Sequence, residues 1–302
     1  MADGDVDGLV LLDKPPGPTS HDLVQELRRR VGARKAGHAG TLDPQASGLL
    51  VVLTGRATRL VPFVPGDPKV YEGTVILGLE TDTLDLEGEV VSQRPFRGSE
   101  EQVREAVRSL VGSFEQLPPR FSAVKHGGKP LYYYARRGEE VPRRPRRVEV
   151  YEAEVLACRL GERAEVDFRV YCSPGTYVRE LAQRLGKRLG CGGTLAGLRR
   201  LASGPYRLEE AVTLEELALR LERGEPAVLS PLEALRGYGR VELKREGLRT
   251  ALHGAPLAPE FLEEGAGWAG GEVLAVTYRG ELIGVYEAHT NPPRLRPKRL
   301  MA

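Results

Sequence analysis

The chain has 302 residues, of which 41% are hydrophobic and 28% are charged, and its formal net charge is +2. This composition is typical of a globular protein that is long enough for two domains. No stretch approaches the roughly 20 apolar residues that span a bilayer, and the acidic start MADGDVDG is unlike a secretory signal peptide. We therefore expect a cytoplasmic protein without a membrane segment.

Apolar periodicity predicts a mixture of strands and helices along residues 1–236. Short apolar runs such as LLVVL at 49–53 are typical of buried strands. Capping-box pairs, such as Thr19 with Asp22, mark the starts of helices. In chain order the prediction is strand 9–12, a helix after Thr19, strand 49–53, strands YEGTVILG and EGEVVSQ joined by TDTLDLEG, a helix after Ser99 with apolar residues through Val111, paired strands VEVYEAEVLACRL and RAEVDFRVYCS, the helix GTYVRELAQRLGKRLG, and a helix from Thr213.

Near Gly237 the pattern changes to short strands with turn signals. RVELK, EVLAVTY and ELIGVYEA are strand patterns, and glycine-rich GAGWAGG lies between two of them. We predict two domains, 1–236 and 237–302, which pack together because no long linker joins them. The first mixes strands and helices without strict βαβ alternation. This favours an α+β fold with a mixed, mostly antiparallel sheet and a small β-rich C-terminal domain.

The cysteines and histidines form neither a metal site nor a disulfide framework. Three cysteines are widely spaced without a C-x-x-C pair, and five histidines are scattered. The sequence also lacks a P-loop, a dinucleotide fingerprint, an H-E-x-x-H motif and a G-x-S-x-G motif. We expect no metal and no cofactor, so that side chains alone would carry any chemistry.

Basic residues cluster in three segments despite the low net charge. RRRVGARK at 28–35, RRGEEVPRRPRR at 136–147 and the tail after Pro293 are rich in basic residues. Clustered cations displace counterions from phosphates, so these segments favour a polyanionic partner. Solvated surface is the alternative interpretation of each segment taken alone.

The glycine-rich loop GHAGTLDPQASG at 37–48 contains Asp43, which is either a turn residue or a reactive group. An Asp-Pro pair is common in turns, where the carboxylate accepts backbone N–H bonds. Glycines, however, let a ligand approach the backbone closely, and His38 lies in the same loop with little apolar sequence around it. The local pattern favours the turn and leaves catalysis open.

Several segments, in the expected order, resemble the TruB-type tRNA pseudouridine synthases, which convert uridine 55 of the T loop. GHAGTLDPQASGLL resembles the catalytic motif of that family. Further matching segments are DKPPGPTS, KVYEG, FSAVKHGGKPLYYYARRG and CSPGTYVRELAQRLGKRLGCGGTLAGLRR. Residues 237–302 resemble a PUA domain, a small RNA-binding module. The resemblance therefore covers nearly the whole chain.

The resemblance implies an enzyme whose nucleophile is Asp43. It also implies that Tyr71 is a second catalytic residue, which stacks on the target uracil and can take a proton during the rearrangement, and that Arg179 pairs with the aspartate. An aspartate suits this role because its ordinary pKa is about 3.9, and a cation beside it would hold that pKa down. Without the resemblance, Tyr71 would be one strand aromatic among others and Arg179 a solvated helix residue.

The resemblance implies RNA-binding roles for four more residues. His38 would fill the space left by the flipped base, and Lys69 would reach a phosphate or order the site. Tyr177 would lie near the target base, and Leu198 would contact the base or ribose. The structural alternatives are a lone structural histidine at position 38, a surface lysine at 69, a core tyrosine at 177 and a core leucine on a helix at 198.

The resemblance further implies how RNA is recognised. Residues 118–147 would form a thumb-like insertion over the T loop, with Phe121 where the family often has tyrosine. Base flipping costs a few kcal/mol, and stacking on an aromatic returns about 1–3 kcal/mol. The expected partner is tRNA, bound through its T stem-loop by a monomer without an obligatory protein partner. A non-catalytic RNA-binding or tRNA-folding protein and a guide-RNA-dependent relative remain as alternatives.

Overall fold

The computed structural model describes residues 6–263 and 267–301, and these ranges contain two main β-sheets. The helices are α1 (Ser20–Val31), α2 (Glu100–Arg108), α3 (Leu131–Ala135), α4 (Val178–Arg188), α5 (Leu214–Glu222) and α6 (Arg245–Leu252), with 3₁₀ turns over Gly55–Phe63, Leu208–Glu210, Pro231–Leu235 and Pro259–Phe261. The strands are β1 (Gly8–Lys14), β2 (Ala36–His38), β3 (Ser47–Thr54), β4 (Lys69–Leu77), β5 (Leu79–Thr81), β6 (Val90–Gln93), β7 (Gly112–Gln116), β8 (Lys125–His126), β9 (Lys129–Pro130), β10 (Arg146–Arg159), β11 (Ala164–Cys172), β12 (Gly193–Ser203), β13 (Tyr206–Arg207), β14 (Gly239–Glu242), β15 (Val273–Tyr278), β16 (Glu281–Thr290) and β17 (Pro293–Leu300).

The larger sheet has the strand order β1-β3-β12-β4-β11-β10-β7, with β2 beside β3 and β13 beside β12. Neighbouring strands are antiparallel except β3 and β12, which meet in parallel where Ser47 and Gly48 lie opposite Arg199 and Arg200. The predicted α+β class with a mixed, mostly antiparallel sheet is thereby confirmed. The parallel contact places the loop between β2 and β3 directly beside β12.

Strands β1 and β3 are buried on both faces, which explains their continuous apolar sequences. Leu9 and Leu11 of β1 pack towards the C-terminal sheet, whereas Val10 and Leu12 pack in a cluster with residues of α1 and α5. Helix α1 begins at the predicted capping box, since the side chain of Thr19 accepts from the backbone N–H of the third helical residue. The predicted buried strands and the helix start are therefore confirmed.

The C-terminal sheet has the order β14-β15-β16-β17, in which β14 and β15 are parallel and the other neighbours antiparallel. Ala275, Val285 and Met301 belong to the same apolar cluster as Leu9 and Leu11, so this sheet packs directly on β1 and β3. The β-rich C-terminal unit is confirmed, whereas the boundary at 236/237 stays a prediction. The first two residues of the GAGWAGG segment at 265–271 lie outside the described ranges.

Two local expectations are wrong. Helix α2 ends at Arg108, so Val111 leaves its apolar face and is exposed just before β7. Leu198 lies in β12 rather than in a helix. Its segment pairs with β4 over nearly the whole strand, and this pairing overrides the helix preference of its leucine, alanine and arginine residues. No helix within the described residues is long and apolar enough to cross a membrane.

Candidate active site

A cavity of about 730 Å³ lies beside the parallel contact of β3 and β12. Its volume falls in the range of roughly 300–1,000 Å³ that is typical of small-molecule sites. All of the sequence-predicted site residues line it: His38, Asp43, Lys69, Tyr71, Tyr177, Arg179 and Leu198. The fold thus brings together side chains from β2, the loop before β3, β4, the start of α4 and β12. Within the described ranges, no group of three or more His, Cys, Asp or Glu residues could hold a metal ion.

The loop that carries Asp43 is held by buried side chains from outside it. Lys14, at the end of β1, is fully buried, and its Nζ donates to the carbonyl oxygens of Pro44 and Ala46 at 2.8 and 2.7 Å. Ser20 is also buried. Its Oγ accepts from the backbone N–H of Leu42, the residue before Asp43, at 2.9 Å, and it donates to the carbonyl oxygen of Leu42. Because these bonds fix the backbone on both sides of Asp43, the turn presents its carboxyl group to the cavity.

Arg179, in the first turn of α4, contacts Asp43 directly. Its Nη2 lies 2.9 Å from Asp43 Oδ2, and its Nη1 lies 3.1 Å from Asp85 Oδ2. The same two nitrogens donate to the carbonyl oxygens of Thr83 at 3.1 Å and Phe121 at 2.8 Å. With its side chain only 6% exposed, Arg179 is a buried and fixed cation. The alternative of a solvated helix arginine is therefore wrong.

Asp85 is a residue of this site that the sequence interpretation missed. It lies in the polar connection TDTLDLEG between β5 and β6, which the sequence marked only as a link between strands. Its Oδ1 accepts from the Thr83 hydroxyl at 2.6 Å and from the Glu87 N–H at 3.1 Å, and its Oδ2 faces Arg179. A Thr–Asp turn that satisfies one carboxylate oxygen and leaves the other for a cation is the signal that could have identified it.

Burial raises the pKa of Asp43 above its ordinary value, and the Arg179 guanidinium opposes this rise. Protein atoms crowd the carboxyl group, although its side chain keeps 42% exposure into the open cavity. The expected pairing with a cation is present, but its effect on the pKa is smaller than the effect of desolvation. Arg179 therefore limits the rise rather than holding the pKa of Asp43 low.

Lys69 and Tyr71 lie two residues apart on β4, so their side chains share one face of the sheet. Both are buried, and Lys69 Nζ donates to Ser203 Oγ at 2.5 Å. Burial, together with the nearby charge of Arg200, lowers the pKa of Lys69 to about 7. Burial raises the pKa of Tyr71, so its phenol is neutral near pH 7. The alternative of a surface lysine at position 69 is wrong.

The remaining predicted residues occupy the walls of the cavity. His38 ends β2, and its buried Nδ1 has no hydrogen-bond partner among the described residues. Burial lowers the pKa of His38, which favours the neutral imidazole. Tyr177 precedes α4, its N–H donates to Gln116 Oε1 at 2.8 Å, and burial raises its pKa. Leu198 is half-buried and packs against the core cluster that contains Tyr71.

The segment 118–147 contains the β8–β9 hairpin and α3, and it carries cations placed over tyrosine rings. Lys129 Nζ lies 4.1 Å from the ring centroid of Tyr133, and the guanidinium of Arg137 lies 5.5 Å from the same ring. Arg136 is 5.5 Å from the ring of Tyr132. Phe121, at the base of this segment, meets Arg179 through its backbone carbonyl, a contact that needs no phenolic hydroxyl.

Two family models match consecutive parts of the chain. Residues 28–178 match the model described as TruB family pseudouridylate synthase (N terminal domain). Residues 179–235 match the model described as tRNA pseudouridylate synthase B C-terminal domain. The residues that line the cavity are therefore divided between the two matched regions.

Individual relatives match almost the entire chain. It is 44% identical over 296 residues to the tRNA pseudouridine synthase B of Geobacillus thermodenitrificans, covering 95% of this chain and 97% of that relative. It is 45% identical over 265 residues to the protein of the same name from Geobacter sulfurreducens, covering 87% and 86%. A solved H/ACA RNP bound to a substrate RNA containing 2'-deoxyuridine has a TM-score of 0.73 at 26% identity, covering 98% of this chain and 85% of that chain. A Cbf5-Nop10-Gar1 complex gives the same TM-score and the same coverage at 29% identity.

Proposed function

The chain belongs to the TruB family of pseudouridylate synthases, and we propose that it isomerises uridine 55 in the T loop of tRNA to pseudouridine. One observation carries the proposal: the ion pair of Asp43 with the buried Arg179 at the base of the cavity. The tRNA substrate is supported by relatives named tRNA pseudouridine synthase B, which match up to 98% of this chain.

The proposed reaction rearranges one nucleotide without a change of oxidation state. The N1–C1′ bond breaks, the base turns and C5 joins C1′, while C5 loses a proton and N1 gains one. Asp43 acts as the nucleophile, because an ionised carboxylate can form a covalent intermediate. Attack at C1′, attack on the base and support of a glycal route each use the same carboxylate. Since Arg179 engages Oδ2, Oδ1 is the oxygen that would attack.

The walls of the cavity would hold the flipped base. Tyr71 stacks on the uracil, and because burial raises its pKa it does so as a neutral phenol. Leu198 and Tyr177 close the pocket around the base and ribose. His38 enters the space that the base leaves in the RNA. Stacking on Tyr71 would offset a share of the cost of flipping.

The rest of the RNA would be held through its phosphates and shape, as is usual for folded RNA. Lys69 would contact a phosphate at the cavity, and the segment 118–147 would close over the T loop with its exposed cations. Residues 237–302 would form a second RNA-binding domain that uses the basic strand β17. We further propose that the protein acts in the cytoplasm as a monomer, without an obligatory protein partner.

The test uses unmodified tRNA transcript that carries tritium at uracil C5. Release of tritium to water by the isolated chain would show catalysis without a guide RNA or a partner protein. Asp43→Asn should abolish release and retain tRNA binding, because it removes the nucleophile and keeps the shape of the side chain. If the purified wild-type chain binds tRNA but releases no tritium, a non-catalytic RNA-binding function replaces this proposal. Release by Asp43→Asn at the wild-type rate would refute the role of Asp43.

A further inference from the structure

Arg200, on β12, reaches the backbone of the Asp43 loop from the inside of the protein. We infer that Arg200 is a positioning residue that orients the Asp43 carboxyl group by fixing the main chain on both sides of it. This inference rests on the proposed function, because the position of Asp43 matters only if Asp43 reacts. Arg200 ends the matching segment CSPGTYVRELAQRLGKRLGCGGTLAGLRR, but the sequence analysis assigned it no role.

One guanidinium group spans the loop from its first half to the strand that follows it. Nη2 donates to the Gly40 carbonyl at 3.1 Å, and Nη1 donates to the Thr41 carbonyl at 3.3 Å. Nε donates to the Leu49 carbonyl at 2.8 Å, on the other side of Asp43. These three bonds hold the backbone before Asp43, at Gly40 and Thr41, and the backbone after it, at Leu49. A displacement of either segment would move the carboxyl group.

The main chain of Arg200 makes a second contact with the same loop. It lies opposite Gly48 in the parallel register of β3 and β12. A Cβ atom on Gly48 would lie 2.3 Å from the Arg200 carbonyl oxygen, and Gly48 has a φ of +97°. Only glycine permits this close approach. Both the backbone and the side chain of Arg200 therefore hold the Asp43 loop in place.

The burial of Arg200 indicates a role in addition to packing. The residue is 1% exposed and lines the cavity, its three backbone acceptors are carbonyl dipoles, and its guanidinium group also donates a hydrogen bond to the Tyr71 hydroxyl. Burying a cation that has no carboxylate partner is costly, and well-packed apolar side chains often stabilise such positions better. The three directed bonds of a planar guanidinium orient carbonyl groups in a way that an apolar side chain cannot. The arrangement therefore favours orientation of the loop over stability alone.

The experiment compares Arg200→Met and Arg200→Lys with the wild type in single-turnover tritium release and in tRNA binding. A misplacement of about 1 Å at a reacting centre costs on the order of 100-fold in rate, so we expect a loss of that size in Arg200→Met with tRNA affinity unchanged. Arg200→Lys keeps the charge but cannot span three carbonyls, so its rate should lie between the rates of the wild type and of Arg200→Met. The matched control is Arg169→Met, which removes a sheet arginine paired with Glu72 and Glu154.

Guanidinium rescue separates positioning from a merely structural role. In Arg200→Ala, added guanidinium ion should enter the space left by the side chain and restore a share of the rate. The same ion should not raise the rate of the wild type or of Arg169→Met. A wild-type rate in Arg200→Met, or a loss of rate that follows thermal stability and is not rescued, would overturn the inference alone. An inactive wild type would overturn the proposed function and this inference together.

Discussion

Replacing Arg179 with lysine tests whether the fixed guanidinium, rather than the positive charge alone, prepares Asp43 for reaction. Arg179 makes four contacts, with two carboxylates and two backbone carbonyls, from nitrogens fixed in one plane. A lysine ammonium is a single donor centre at the end of a flexible chain, so it cannot reproduce this fork. We expect Arg179→Lys to keep at most the contacts on one side, either with Asp43 or with Asp85.

The size of the effect follows from the contacts that are lost. A hydrogen bond to a charged group contributes about 1.5–3 kcal/mol, and the 42% exposure of Asp43 places its contact at the lower end of that range. If the lysine keeps the Asp85 side, loss of the Asp43 contact and of one further bond costs about 3 kcal/mol, which corresponds to a roughly 100-fold slower reaction if it falls on the transition state. A share that falls on folding would lower thermal stability instead.

The assay is single-turnover tritium release at saturating enzyme, with tRNA binding and thermal stability measured on the same samples. Arg184→Lys is the matched control, because Arg184 lies on the same helix and its guanidinium is 4.2 Å from the ring centroid of Phe114, away from the Asp43 loop. This control should react at the wild-type rate. A rate close to that of the wild type in Arg179→Lys, or an equal loss in the control, would refute the proposed role of the guanidinium fork.

Three further predictions concern the neighbouring backbone, Lys69 and the C-terminal strand. Gly48→Ala should lower both thermal stability and rate. At the φ of +97° a residue with a side chain is less stable by on the order of 1–2 kcal/mol, and the new Cβ would collide with the Arg200 carbonyl. An unchanged melting temperature in calorimetry would contradict this prediction. The pKa of Lys69 is lowered to about 7, so tRNA affinity should fall as pH rises through about 7, where the ammonium loses its proton. Lys69→Met should remove that pH dependence in binding titrations. A pH dependence that survives the substitution would belong to another group. Replacing exposed Arg296 and Arg299 on β17 with glutamine should lower the slope of log affinity against log salt by about 2, and an unchanged slope would argue against RNA contact by this strand.

Local sequence patterns were sufficient for the elements whose cause is local. The capping boxes at Thr19, Ser99 and Thr213 begin α1, α2 and α5 in the structure. These signals work because both partners lie within one helical turn and the bond forms in isolation. The buried strands were equally visible, since β1 and β3 must be apolar on both faces. Of the seven candidate site residues, the glycine-rich loop pattern singled out Asp43 and His38 but favoured a turn, and the other five were identified only through the family resemblance.

Elements that depend on distant partners were not visible in the sequence. The segment of β12 contains mainly good helix formers, yet β4 and β3 pair with its two sides. Asp85 is one acidic residue in a polar turn until α4 brings Arg179 to within 3.1 Å of it. The basic pattern after Pro293 favoured a polyanionic partner and predicted no strand, whereas pairing with β16 makes 293–300 a strand. In each case the deciding interaction joins residues that local periodicity cannot relate.

The Asp43 loop shows why a turn and a catalytic group were hard to separate from the sequence. The loop is rich in glycine and has few apolar residues of its own, so its conformation must be imposed from outside. Lys14 and Arg200, both buried, donate to carbonyl groups on either side of Asp43. Two cations placed beneath one loop satisfy its backbone and leave the carboxylate to pair with Arg179 at the cavity. The turn is therefore the means by which Asp43 is presented, and residues far along the chain from the loop decide where its carboxyl group points.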